Sequence, residues 1–159
     1  MAMIQLETAG QRERLRGMAA LGMMNHLALT LSDLRTSEKV FYRPLLEFLG
    51  YGKLEDGQEM TLWWSERAGS GVTLWQADPE LAAIPHQRYA PGFHHFAFSA
   101  ESREQVDRLH DRLREIGATV LDAPAEYPYM PGYYAVFFAD PDGLKFELVH
   151  IPPTRPLVE

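Results

Sequence analysis

Apolar and polar residues alternate in the same way at two places along the chain. His26-Leu27-Ala28-Leu29-Thr30 and His95-Phe96-Ala97-Phe98-Ser99 each read histidine, large apolar, alanine, large apolar, small hydroxyl. A period of two predicts half-buried strands. Leu27, Leu29 and Leu31 would face a packed layer, as would Phe96 and Phe98. The rows His26, Ala28, Thr30 and His95, Ala97, Ser99 would point the other way.

The segments after the two strands repeat as well. After Ser32-Asp33 comes helical spacing over 36–49, closed by Gly50, with Pro44 as an interior residue that predicts a kink or a break. After the second strand comes a cleaner helix over 102–116, with Val106, Leu109, Leu113 and Ile116 on one face and Gly117 at its end. From histidine to closing glycine the distance is 24 residues in the first copy and 22 in the second. Three short strands are then expected in each copy, over 51–55, 60–65 and 72–77, and over 119–122, 133–139 and 144–151. Asp140-Pro141-Asp142-Gly143 joins the last two as a tight turn.

The fold expected is α+β, with two tandem βαβββ modules whose curved mixed sheets enclose a metal-binding cavity and carry helices on the outer face. The divisions are an N-terminal extension over 1–23, a first module over 24–78, a linker over 79–91, a second module over 92–151 and a tail over 152–159. Leu6, Leu15 and Met18 suggest a short helix in the extension.

Helices on one face of each sheet leave His26 and His95 on the other, beside small residues that make room for a ligand. Glu147 alternates with Leu144, Phe146 and Leu148, so it points to the same cavity side. An ionised carboxylate there is costly unless paired or coordinated. Two imidazoles and a carboxylate suit one divalent ion (Fe, Mn, Zn or Ni) with coordination positions left open. Of the other histidines, His94 is expected to turn away from His95 by strand alternation, and His150 to lie on the Phe146 side. His86 and Arg88 belong to the exposed linker, and His110 to a helix surface.

These stretches resemble the vicinal oxygen chelate superfamily, which includes glyoxalase I, extradiol dioxygenases, fosfomycin-resistance proteins and bleomycin-binding proteins. The matching segments are Asn25-His26-Leu27-Ala28-Leu29, Phe93 to Phe98, and Asp140 to Val149, with Pro131-Gly132-Tyr133-Tyr134 resembling a glyoxalase-like subgroup. The resemblance implies metal ligands at His26, His95 and Glu147. It also implies a homodimer, in which a site is built within one chain or by exchange between two. Aligning 69–76 with 143–150 puts Thr73 where glyoxalase I has a fourth ligand, and threonine is a poor neutral one.

Composition closes off other classes. Apolar residues make up 46% of the 159, enough for a packed interior, and there is no cysteine, so disulfides and thiolate metal sites are impossible. A net charge of −7 disfavours nucleic acid and acidic membranes as partners, and weakly disfavours a strongly anionic substrate unless a local basic pocket overrides it. No apolar run approaches the roughly 18 residues of a membrane span, and a cytoplasmic location is expected. The stretch 124–134 interleaves Tyr127, Tyr129, Met130, Tyr133 and Tyr134 with three prolines and predicts a rigid wall or lid. Thr73, Trp75, Tyr127 and Met130 are thus pocket candidates, and Tyr129 and Tyr133 are candidate general acids. The function expected is Lewis-acid or dioxygen chemistry on a small, oxygen-chelating, aromatic substrate. The rival is a non-catalytic binder of the bleomycin-resistance kind.

Overall fold

The computed structural model describes residues 21–152. The helix expected around Leu6, Leu15 and Met18 lies outside the described residues.

The first module runs β1 (His26–Leu31), α1 (Leu34–Ser37), a π-helical turn (Glu38–Tyr42), α2 (Arg43–Phe48), β2 (Gly52–Asp56), β3 (Met60–Ser65) and β4 (Ser70–Gln76). The second runs β5 (Phe96–Ala100), α3 (Arg103–Glu115), β6 (Thr119–Glu126), β7 (Tyr134–Ala139) and β8 (Lys145–His150). Two four-stranded mixed sheets result, ordered β1-β4-β3-β2 and β5-β8-β7-β6, each with its first and last strands parallel. This is the α+β, doubly repeated βαβββ architecture that the alternation and the repeat foretell. Among the described residues no helix is long and apolar enough to cross a membrane.

The repeat reaches down to register. Ala28 pairs with Thr73 as Ala97 pairs with Glu147, so Thr73 and Glu147 are equivalent. Both edge strands carry a bulge at the same point, between Lys53 and Glu55 and between Val120 and Asp122. Each bulge turns an exposed leucine outward, Leu54 and Leu121. Bulges at such edges hinder pairing with another strand.

Pro44 resolves in a way that periodicity does not foresee. The helix starts at Leu34, because Asp33 caps it by accepting from Thr36 N at 2.9 Å. It does not break at the proline. Instead the preceding turn widens, with the Arg43 amide donating to the Glu38 carbonyl five residues back. A π turn skips the bond that Pro44 has no N–H to make. β6 is likewise longer than expected. It runs through Pro124 to Glu126, which an edge strand allows because its outer N–H row has no partner to lose.

One core serves both modules. Leu29, Leu31, Trp63 and Leu74 join Val106, Leu109, Phe138, Phe146 and Leu148 in a single buried cluster. Phe41 on the π turn lies 6.1 Å from Phe138 and 6.2 Å from Phe146. The helix-covered faces of the two sheets therefore meet each other, and the opposite faces look away from the shared core.

The Asp-Pro-Asp-Gly turn locks this arrangement. Asp140 is buried and accepts from Leu144 N at 2.7 Å, Asp142 N at 3.0 Å and the Tyr42 hydroxyl at 2.6 Å. Burial raises its carboxyl above the ordinary range, and the three donors work against that rise. Asp142 accepts from Ser32 N at 2.9 Å and from the Ser32 hydroxyl. Both aspartates of the turn thus bind residues of the first module.

Candidate functional site

The second module's open face holds the densest chemistry. Lys145, Glu147 and Val149 alternate away from the core row Phe146 and Leu148, and Glu147 sits opposite Ala97 and Phe137 across the ladder. Its side chain is only 2% exposed, yet among the described residues no Lys or Arg pairs with it. The Tyr133 hydroxyl donates to one carboxylate oxygen, Oε1. The other oxygen, Oε2, lies 3.7 Å from His95 Nε2. Burial, then the bond to Glu147 and its charge, push the Tyr133 phenol well above its ordinary range. Tyr133 therefore stays a proton donor.

His95 lies just before β5 rather than within it, so strand alternation does not govern its neighbour. His94 stays beside it, with the two Nδ1 atoms 2.7 Å apart. Burial first, then the charges of His95, Arg88 and Lys145, lower the proton affinity of His94. The expectation that His94 turns away is corrected here. Where His95 donates the proton between the two Nδ1 atoms, its Nε2 lone pair is left facing Glu147.

The first module's open face is built alike but poorer. His26 is exposed, and its Nδ1 lies 2.9 Å from the Asn25 side-chain oxygen, which can only accept. Its Nε2 is thus also left as the free nitrogen. Each candidate ligand histidine is therefore held through Nδ1 by the residue just before it. At the position equivalent to Glu147, buried Thr73 instead accepts a bond from Trp75 Nε1 at 3.3 Å, and Trp75 is 40% exposed.

The two faces do not meet within one chain. Among the described residues no three His, Cys, Asp or Glu side chains gather closely enough to hold a metal ion. The chain brings His95, Glu147 and Tyr133 together and leaves His26 apart on the other module. A single-chain cavity holding all three expected ligands is not what this fold builds, because the shared core lies between the modules' helix faces.

The loop after β6 forms an aromatic ladder beside Glu147. Tyr127 stacks on Tyr129 at 5.7 Å and meets Phe137 edge-on at 5.1 Å, and Tyr129 meets Tyr133 edge-on at 5.2 Å. An open concavity of about 620 Å³ lies against residues 126–132, Met130 included. Gly132 is obligatory at its base. It has a φ of +76°, and an added Cβ would come within 2.5 Å of Pro152 Cγ. Tyr129, by contrast, is 66% exposed. Of the remaining histidines, His150 Nδ1 lies 3.3 Å from the Ala100 carbonyl oxygen on the core side, as alternation requires. His86 packs edge-on to Phe93. Residues that sequence reasoning missed are Asn25, Tyr42 and Ser32. The Asn25-His26 and His94-His95 pairs were the signal available for the first.

The sequence profile of the glyoxalase/bleomycin resistance protein/dioxygenase superfamily matches residues 23–148. The chain belongs to that superfamily. A Bacillus subtilis relative, the uncharacterized protein YqjT, is 34% identical over 128 residues, spanning 79% of this chain and 97% of its own. The metallothiol transferase FosB of Bacillus licheniformis is 29% identical over 125 residues, covering 79% of this chain and 73% of its own. Among solved structures, a glyoxalase-like protein from Bacillus halodurans superposes with a TM-score of 0.72 at 29% identity, covering 82% of this chain and 97% of that one. The fosfomycin resistance protein FosX of Listeria monocytogenes shares the fold, with a TM-score of 0.63 at 18% identity over 84% of this chain and 97% of its own.

Proposed function

We propose that this superfamily member is a metal-dependent enzyme whose site is completed between two copies of the chain. His95 and Glu147 of one copy and His26 of a second would hold one divalent ion. The observation that carries this is the His95–Glu147 spacing of 3.7 Å. That is longer than a hydrogen bond, yet shorter than two metal–ligand bonds of about 2.0–2.2 Å laid end to end. A carboxylate so buried, bonded among the described residues only through Oε1, keeps Oε2 for a cation. When bound, the ion supplies Lewis acidity to a small substrate that reaches it through oxygen.

The chain's residues do the rest. Asn25 and His94 present the two Nε2 atoms, Tyr133 orients Glu147 and is a proton donor next to the site, and the Tyr127–Tyr129 stack forms an aromatic wall. Leu62, Trp64 and Trp75 leave apolar surface on the first module's open face, which supports a homodimer that covers it. A relative named a metallothiol transferase supports metal use, with group transfer or isomerisation ahead of ring cleavage, and a location in the cytoplasm fits a cysteine-free chain. Iron, manganese, zinc and nickel all suit two imidazoles and a carboxylate.

The aromatic ladder and its open concavity favour one second reading, a sequestering protein that needs no metal. Elemental analysis of tag-free protein, beside a Glu147→Ala control, separates the two. Near-stoichiometric divalent metal that disappears in the control is expected. Metal retained in the control, or none bound even after reconstitution, would overturn the enzyme reading. A sequestering protein would hold its ligand equally well after chelation.

A further inference from the structure

Near the open face of the second module, two cations have no carboxylate partner among the described residues. Lys145 stands two residues before Glu147 on β8, on the same face. Its Nζ lies 4.0 Å from the centre of the Phe137 ring, and Phe137 is the cross-strand neighbour of Glu147. Arg88, half-buried in the linker, lies 4.6 Å from the Tyr89 ring centre, and Tyr89 packs 5.5 Å from His94. Both cations lie within electrostatic range of His94. Among the described residues, the ion-paired Lys and Arg side chains, such as Arg35, Lys53, Arg67 and Arg103, have acidic partners at 4 Å or less, whereas Lys145 and Arg88 have none. Their partners are aromatic faces, and for Arg88 also the Tyr89 hydroxyl.

A chain with a net charge of −7 thus places positive charge that has no acidic partner among the described residues beside buried Glu147. With a divalent ion present, the single negative charge of Glu147 is outweighed, so the local field is positive. A cation held over a ring face keeps its outward side free for a ligand oxygen.

We propose that Lys145 and Arg88 form an anion-recognising wall. The substrate then carries a carboxylate or phosphate-type group in addition to the oxygens that reach the metal. This rests on the metal site proposed above, and it reverses the expectation drawn from net charge alone.

Matched probes test it. Dihydroxyacetone is neutral and offers a carbonyl and a hydroxyl on adjacent carbons. Dihydroxyacetone phosphate and hydroxypyruvate keep that pair and add a phosphate or a carboxylate. Titrated into manganese-loaded protein at low ionic strength, at least one charged probe should bind about tenfold or more tighter than the neutral one. Whichever charged probe is preferred identifies the anion. Lys145→Met and Arg88→Met should each erode that preference several-fold, and Lys145→Arg should retain it. Dihydroxyacetone binding and melting temperature should stay close to the parent's, and manganese affinity should not fall. Absence of any preference in the parent protein, or its survival in the double Met variant, would overturn the proposal. Manganese affinity is read separately, so its absence would sink the metal site. The charge preference of the metal-free protein, and its dependence on Lys145, would then still decide this inference.

Discussion

The two modules share a scaffold almost position for position and differ in what they place on it. Trp63 and Phe138 are equivalent core residues, as are Val72 and Phe146. On the open face Thr73 stands where Glu147 stands, and its hydroxyl is occupied by Trp75. On the edge strand Lys53 takes the place of Val120 and turns inward to pair with buried Glu38 at 2.8 Å. The first module therefore uses its charge to knit helix to sheet. The second keeps an apolar edge there and carries its buried carboxylate on the working face. Equivalent backbone positions, once duplicated, are free to take up structural or chemical duties separately. Under the proposed metal site, one histidine per module would keep a shared duty.

Substitutions in the core should do the most damage, and unequally between the modules. Phe146 touches Phe41, Tyr42, Phe93, Phe98 and Phe138. Phe146→Ala should cost about 3–5 kcal/mol, read by denaturant unfolding. Val72→Ala, its counterpart, should cost less, on the order of 1.5–3 kcal/mol. Equal losses would mean that the five aromatic contacts of Phe146 add nothing to the stability of the shared core.

Next come the residues that hold the two proposed ligand histidines. Asn25→Ala and His94→Phe should each weaken metal binding about 10–100-fold while unfolding midpoints stay close to the parent's. Asn25→Asp, which keeps an acceptor, should retain most of the affinity. Chelator competition measures both, and affinity unchanged in the two removals would contradict the tautomer assignment.

A smaller effect separates the equivalent positions on the open faces. Tyr133→Phe leaves Glu147 Oε1 without its donor and should cost about 1–3 kcal/mol in the metal-free protein. Thr73→Val removes only the weak Trp75 bond, and should cost less than about 1.5 kcal/mol with no change in metal affinity. The least costly change is Arg67→Ala. Its exposed pair with Glu101 bridges the modules, and losing it should cost less than about 1 kcal/mol.

Much of this architecture is legible in the chain because the signals are local. Period-two alternation marks β1 and β5, helical spacing marks α3, and the Asp-Pro-Asp-Gly turn delimits β7 and β8. The equivalence of Thr73 and Glu147 follows from aligning the copies, and the register confirms it. What stays hidden depends on contacts distant in sequence. Nothing near Pro44 announces that a π turn will absorb it and aim Phe41 and Tyr42 at the second module. Asp140 and Asp142 read as turn formers, whereas their carboxylates also bind Tyr42 and Ser32 far away in sequence. The start of β5 one residue after His95, set by where the ladder with β8 begins, is what leaves His94 beside its neighbour. Which faces pack together is likewise a property of the whole core, so the three proposed ligands are readable as residues but not as one site.

Subunit mixing would show most directly whether two copies of the chain share each site. His26→Ala and Glu147→Ala chains should each bind no stoichiometric metal alone. Refolded together in equal amounts, they would form hybrids with one intact site, restoring about a quarter of the parent's metal per chain for random pairing in a two-fold dimer. Failure of the mixture to bind metal, with hybrid dimers shown to be present, would contradict a site shared between copies.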